Sequence, residues 1–212
     1  MIGAGYDVVG CSRGPADWSA DGYEHREADV ADEKAVVELI RWIGRERGGL
    51  YAAINCAGAA SMNHALLTPA TTLDELYAAN VRGTFLVSRE AAKLMRKAAS
   101  GRIVNVSSVA VPLRLKGQAA YVASKAAVER LSQVLAVELA EYGITVNVVG
   151  PGPIPTDMTH GVPKPLLERL LESLPLKREG TIEDVANVVE FFLRPESEAV
   201  TGQVIYLGGA TG

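Results

Sequence analysis

Cysteine is scarce, with two residues in 212, Cys11 and Cys56. That is too few for a disulfide framework, and both lie in apolar, strand-like stretches, so buried free thiols in a reducing cytoplasm are expected. Long apolar runs are missing too: none lasts beyond about ten residues, so no segment is expected to span a membrane. Residues 1–7 carry no basic stretch ahead of apolar ones, and a secretory signal is not expected. Positive charge is not in excess. Lys and Arg number 21 against 25 Asp and Glu, a net charge of −4, which argues against a nucleic-acid partner. Repeats, low-complexity tracts and linkers are absent as well, and no metal site is expected. What remains is 48% hydrophobic and 22% charged, the composition of a globular chain forming a single domain over 1–212.

Short apolar runs alternate with helical patterns. Strands are predicted at 6–12, 24–28, 50–56, 102–107, 144–149 and 204–207. Residues 31–47 place Val36, Leu39, Ile40 and Ile43 on one helical face. Thr72, three residues before Glu75, predicts a capped start for a helix running to about residue 99. A further helix over 118–142 carries a stripe of Val128, Leu131, Leu135 and Leu139, and Thr181 with Asp184 predicts the cap of another reaching residue 193. Strands apolar nearly throughout are buried on both faces. The class is α/β, with a doubly wound, mostly parallel sheet.

Tyr121 is followed four residues later by Lys125, on one helical face. An ammonium one turn away is expected to lower the phenol pKa and suit it to proton transfer near neutral pH. Taken alone, such a pair is most often a surface coincidence. Ser108 lies thirteen residues earlier, at the carboxyl end of a strand, where open α/β sheets bind ligands. Its hydroxyl can donate to a carbonyl oxygen that gains negative charge, or it can simply make a turn. Asn80 is a poor helix former beside Val81 and Gly83: either an exposed helical side chain, or a local distortion with a functional amide.

These residues, with Asp29-Val30, Asn55-Cys56-Ala57-Gly58, Pro151-Gly152, Thr156-Asp157-Met158, Thr201-Gly202-Gln203 and Gly208-Gly209, resemble the short-chain dehydrogenase/reductase family. The likeness extends over essentially the whole chain and is strongest to 3-oxoacyl-carrier-protein-reductase-like members, which have a Rossmann-like sheet. It implies a catalytic tetrad. Tyr121 would protonate the substrate oxygen as a nicotinamide delivers hydride. Lys125 would lower the Tyr121 pKa and hold the nicotinamide ribose. Ser108 would polarise the carbonyl, and Asn80 would hold a relay water. The resemblance also assigns cofactor contacts to Asp29 and Val30, to Asn55, Ala57 and Gly58, and to Pro151, Gly152, Ile154 and Thr156. A cytoplasmic homo-oligomer, dimer or tetramer, is implied by analogy.

The strand ending at Cys11-Ser12-Arg13 carries no carboxylate to accept a ribose 2′-hydroxyl. Arg13 can pair with a 2′-phosphate and Ser12 can donate to one, so NADP is expected over NAD. The family's opening strand and glycine-rich phosphate turn are not recognisable. Gly3-Ala4-Gly5 precedes a strand, whereas the fingerprint follows one. The chain is therefore expected to lack its first β-α unit, and two strand edges are expected to pair with each other or borrow a partner. Two or three missing charge-assisted hydrogen bonds correspond to roughly 3–9 kcal/mol of cofactor binding. Two functions follow. One is NADPH-dependent reduction of a small carbonyl substrate, a ketone or a 3-oxoacyl thioester. The other is a relative without dinucleotide redox activity, acting as an acid/base catalyst, ligand binder or structural partner. Leu166, Leu167, Leu170, Leu171 and Leu174 suggest an apolar lid or a core-packing stripe. Arg114 and Lys116 would meet an acidic carrier or belong to a solvated loop.

Overall fold

The structure, a computed structural model, describes residues 1–156, 159 and 162–210. Six strands carry the fold: β1 Val8–Ser12, β2 Tyr23–Glu27, β3 Ala52–Asn55, β4 Gly101–Val106, β5 Ile144–Gly150 and β6 Val204–Tyr206. They form two parallel sheets, β1-β2 and β3-β4-β5-β6. The free edges of β1 and β3 do not pair with each other. Each predicted strand exists, with its ends moved by one or two residues. The β1-to-β2 crossover contains no helix, as its Gly-Pro-Gly content suggests.

β4 and β5 are the centre of the larger sheet, buried along almost their whole length. Their alternate side chains point to opposite faces, and both faces are covered. On one face Ile103, Ile144 and Val146 pack against Ala91 and Met95 of α3 (Gly83–Met95) and Leu135 of α5 (Ala119–Leu139). On the other, Val104 and Val149 meet Val189, Phe192 and Leu193 of α7 (Ile182–Leu193). Helix α1 (Glu33–Glu46) buries Val36, Ile40 and Ile43 beside Leu86. Its Asp32 cap accepts the Lys34 N–H. Thr181 and Asp184 form both bonds of the predicted capping box on α7.

The Thr72 cap is not formed. Helix α2 (Ala70–Leu76) begins at Pro69, whose carbonyl takes the Thr72 N–H, so Thr72 already lies inside the first turn. The helical run then widens into a π-helix over Tyr77–Arg82 before continuing as α3. This is the local distortion that Asn80 signalled. Gly143, between α5 and β5, has φ 66°, and a Cβ there would lie 2.3 Å from the Ala99 carbonyl oxygen. The turns before β4 and β5 therefore nest closely enough to require glycine.

Candidate active site

The carboxyl ends of β3, β4 and β5 converge on one cleft. The Ser107 N–H donates to Val149 O at 2.8 Å and the Val109 N–H donates to Pro151 O at 3.0 Å, which ties the exit of β4 to that of β5. Beneath them runs a buried polar ladder. The Asn55 amide donates to Ser88 Oγ at 3.1 Å and to Asn105 Oδ1 at 2.7 Å, and the Asn105 amide donates to Ser132 Oγ at 2.8 Å. Buried amides must find such partners, and these lock β3, β4, α3 and α5 in register.

Helix α5 presents Tyr121 and Lys125 to the cleft, both buried. Ser108 accepts the Ala110 N–H at 3.2 Å ahead of the short helix α4 (Ala110–Leu113), so it makes the turn expected of an unremarkable serine. Its hydroxyl also faces the same cavity as Tyr121, and the two readings coexist. Burial holds the Tyr121 phenol pKa above its ordinary value, and the neighbouring Ser108 offsets only part of this. This corrects the expectation that Lys125 lowers it. The Lys125 ammonium points instead at the Val106 carbonyl, donating at 2.9 Å, and stands 6.0 Å from the Tyr121 ring centroid. Burial lowers the Lys125 pKa to about 8, while Cys56 acts to raise it. Tyr121 is therefore held as an acid, and Lys125 exchanges its proton close to neutral pH.

Asn80 is 1% exposed. Its Oδ1 accepts the Ala59 N–H at 2.8 Å, and its amide donates to Ala59 O and to Ser124 Oγ, each at 2.9 Å. Both amide protons are thus committed to protein, and a water at this side chain is left with a lone pair of Oδ1. A Cβ on Gly58 would lie 2.9 Å from Asn80 Oδ1 and 3.4 Å from Lys125 Nζ, so glycine keeps the cleft floor low. Cys56 is exposed at this surface, in contrast to its expected burial. Desolvation still pushes its thiol pKa up, and Lys125 pulls it down. Cys11 is half-buried, and both thiols are free.

A family model described as Enoyl-(Acyl carrier protein) reductase matches residues 13–211. The chain belongs to the short-chain dehydrogenase/reductase family. It is 39% identical to a short-chain type dehydrogenase/reductase of Picea abies, over 86% of this chain and 69% of the relative. It is 36% identical to the 3-oxoacyl-[acyl-carrier-protein] reductase FabG of Staphylococcus epidermidis, over 86% of this chain and 75% of that one. Among solved structures it superimposes on a gluconate 5-dehydrogenase from Burkholderia cenocepacia in complex with NADP and tartrate. The TM-score is 0.85 at 25% identity, with 89% of this chain and 74% of that one covered. The Rossmann-like fold and an oxidoreductase of the NAD(P)-dependent class follow from this membership.

Beside Ser108 and Tyr121 opens a cavity of about 590 Å³. Its walls include Ser108, Tyr121 and Gly152, with Leu166, Leu167 and Leu170 of α6 (Lys164–Ser173) as a cover. The leucine stripe divides its work: these three face the cavity, whereas Leu174 is buried, against Gly208 and Gly152. Lys116 reaches the cavity and Arg114 does not line it. Gln118 was missed by sequence reasoning; it lines the cavity with its Oε1 buried and without a hydrogen-bond partner among the described residues, three residues before Tyr121.

For a short-chain dehydrogenase/reductase the nicotinamide end of a dinucleotide fits what is present: Gly58 lies against Lys125, while Tyr121 and Gly152 line the adjoining cavity, and Pro151 O is tied to Val109 at the exit of β4. Ile154 and Thr156 follow in that loop, where Ile154 O accepts the Thr159 hydroxyl at 2.8 Å; Asp157 and Met158 lie outside the described residues. Asn55 is tied into the polar ladder, and Ala57 lies between it and Gly58. Asp29 closes a turn by accepting the Ala31 N–H at 2.9 Å, and Val30 packs where a Cβ on Gly83 would stand. Gly3 and Ala4 belong to a 3-10 helix capped by Gly5 ahead of β1, not to a strand-to-helix turn. At the end of β1, Ser12 donates to Gly14 O at 2.7 Å, so its proton is already engaged, and Arg13 is exposed. His25 Nε2 lies 3.2 Å from Ser12 Oγ; the parallel register of β1 with β2 brings it there. Among the described residues no His, Cys, Asp and Glu cluster could hold a metal, and no helix is long and apolar enough to cross a membrane.

Proposed function

We propose that this chain is an NADPH-dependent carbonyl reductase acting on a medium-sized ketone or a 3-oxoacyl thioester. The observation that carries the reading is that Ser108 and Tyr121 line an apolar cavity of about 590 Å³, with Lys125 one helical turn on, donating to Val106 O at the end of the same strand. The bound nicotinamide supplies the hydride. Ser108 donates a hydrogen bond to the substrate oxygen, whose negative charge grows as reduction proceeds. Tyr121, kept protonated by burial, gives its proton to that oxygen. Lys125 holds the nicotinamide ribose and, with its pKa near 8, helps restore the tyrosine proton. Asn80 sets the floor through Ala59 and Ser124.

Arg13 supports NADPH over NADH, because it is exposed at the strand end and no carboxylate neighbours it in sequence. Lys116 at the cavity rim supports a substrate with an acidic carrier. Helices α3 and α5 leave Phe85, Val134 and Val137 exposed at 37%, 55% and 79%, a surface suited to a homo-oligomer. The chain works as one cytoplasmic domain.

Calorimetric titration of the purified chain with NADPH and NADH tests the proposal. NADPH binds more tightly, and Arg13→Glu reverses the order. No binding at millimolar NADPH refutes a reductase role for this polypeptide and favours acid/base chemistry at Tyr121 without a dinucleotide.

A further inference from the structure

Glu129 is a buried carboxylate that enters no ion pair with a described residue; it is 7% exposed. Removing a charge from water without a cation is costly, so its partners are informative. Its Oε1 takes two hydroxyl donors, Ser107 Oγ at 2.5 Å and Tyr206 OH at 2.7 Å. Arg130, next in sequence, is exposed.

Glu129 lies four residues after Lys125 and eight after Tyr121, on the same stripe of α5. The three side chains grip three successive residues where β4 ends. Tyr121 lines the same cavity wall as Ser108, Lys125 donates to Val106 O, and Glu129 accepts from Ser107. Ser107 therefore stands between the two groups that the chemistry uses, its N–H fixed by Val149 and its side chain by Glu129. Each peptide there moves with its neighbours, because few dihedrals lie between Val106 O and Ser108 Oγ.

We propose that Glu129 is a positioning residue, which through Ser107 fixes the distance between Ser108 and the phenol of Tyr121. It touches neither substrate nor cofactor. Its link to Tyr206 anchors β6 and is separate from this task. The inference rests on the reading of Ser108 and Tyr121 as the reacting pair, but its test needs no dinucleotide.

The test is the phenolate absorbance titration of Tyr121, isolated as the difference between each variant and the same variant carrying Tyr121→Phe. Ser107→Ala and Glu129→Leu loosen Ser108 beside the phenol, whose pKa it acts to lower, so both raise the Tyr121 titration by about half a pH unit or more. Glu129→Gln keeps an acceptor oxygen and titrates as the parent does. Tyr206→Phe removes the second donor and also leaves Tyr121 where it was. In carbonyl reduction the same two damaging variants lower kcat by about tenfold or more, while KM for NADPH stays constant. A purely structural Glu129 lowers the unfolding midpoint in Ser107→Ala, Glu129→Leu and Tyr206→Phe alike and leaves the titration unmoved. That result overturns the proposal, as does a shift in Tyr206→Phe equal to that in Ser107→Ala, or a shift in only one of Ser107→Ala and Glu129→Leu. If NADPH does not bind, the titration still decides the role of Glu129.

Discussion

Replacing Lys125 with methionine changes how stability depends on pH. Lys125 is 6% exposed, and burial lowers its pKa from 10.5 to about 8. In the unfolded chain it titrates near its ordinary value. Between pH 8 and about 10.4 the unfolded state therefore binds more protons than the folded one, and unfolding free energy rises with pH. The slope approaches about 1.4 kcal/mol per pH unit, the full value for one proton. From pH 7.5 to pH 9.5 the linkage relation gives the parent a gain of about 2 kcal/mol relative to Lys125→Met, while Cys11 and Cys56, whose thiol pKa values burial raises, act the opposite way in both proteins. Below pH 8 the fold carries the full cost of the buried ammonium. Above 10.5 that cost is gone. Tyr121 and Tyr206 have raised pKa values and act in the opposite direction above about pH 10, where the unfolded phenols ionise. The useful window ends at 9.5 for that reason. Urea unfolding followed by fluorescence of Trp18 and Trp42, at pH 7.5, 8.5 and 9.5, measures the effect. The parent gains stability relative to Lys125→Met across this range. Parallel profiles for the two proteins would refute a depressed lysine pKa and, with it, proton exchange by Lys125 near neutral pH.

Gly58→Ala places a methyl 2.9 Å from Asn80 Oδ1 and 3.4 Å from Lys125 Nζ; NADPH affinity falls at least about tenfold by calorimetry, and an unchanged Kd contradicts the cleft floor described. Asn80→Ala strips partners from the Ala59 N–H, the Ala59 carbonyl and Ser124, costing about 1–3 kcal/mol in urea unfolding. Thr181→Ala removes the side-chain bond to the Asp184 N–H at the start of α7 and costs about 1 kcal/mol by the same measurement, with NADPH affinity unaffected.

Much of this arrangement was legible in the sequence because it is local. Strand runs such as 144–149 are rich in β-branched residues, with Thr145 and Asn147 as the polar positions, and Gly143 marks the turn before them; Thr181 and Asp184 specify a cap by their spacing alone. Asn80 left two readings open, an exposed helical side chain or a local distortion, and the π-helix around its buried side chain is the second. Other features depend on distant parts of the chain. Thr72 and Glu75 fit a capping box, yet Pro69 starts the helix earlier. The Tyr121–Lys125 spacing is correct, but the direction of the ammonium is set by the Val106 carbonyl, which belongs to a different element. Glu129 and Gln118 give no sign in a sequence of what they meet, since Ser107, Tyr206 and the cavity reach them only after folding. His25 reaches Ser12 by strand register, which no single segment encodes.

Helix α6 is bounded by Pro163 and, two residues beyond its last turn, by Pro175. Leu174 fastens one end of it to the core, while Leu166, Leu167 and Leu170 form the cover. None of these leucines contributes to the hydrogen bonds that organise Ser108, Tyr121 and Lys125. Chain length and shape of the substrate can therefore be retuned, by mutation or by divergence, through three side chains on a separately hung panel. Trimming them to alanine or valine enlarges the chamber for bulkier ketones, while proton delivery continues from a helix that never has to be redesigned.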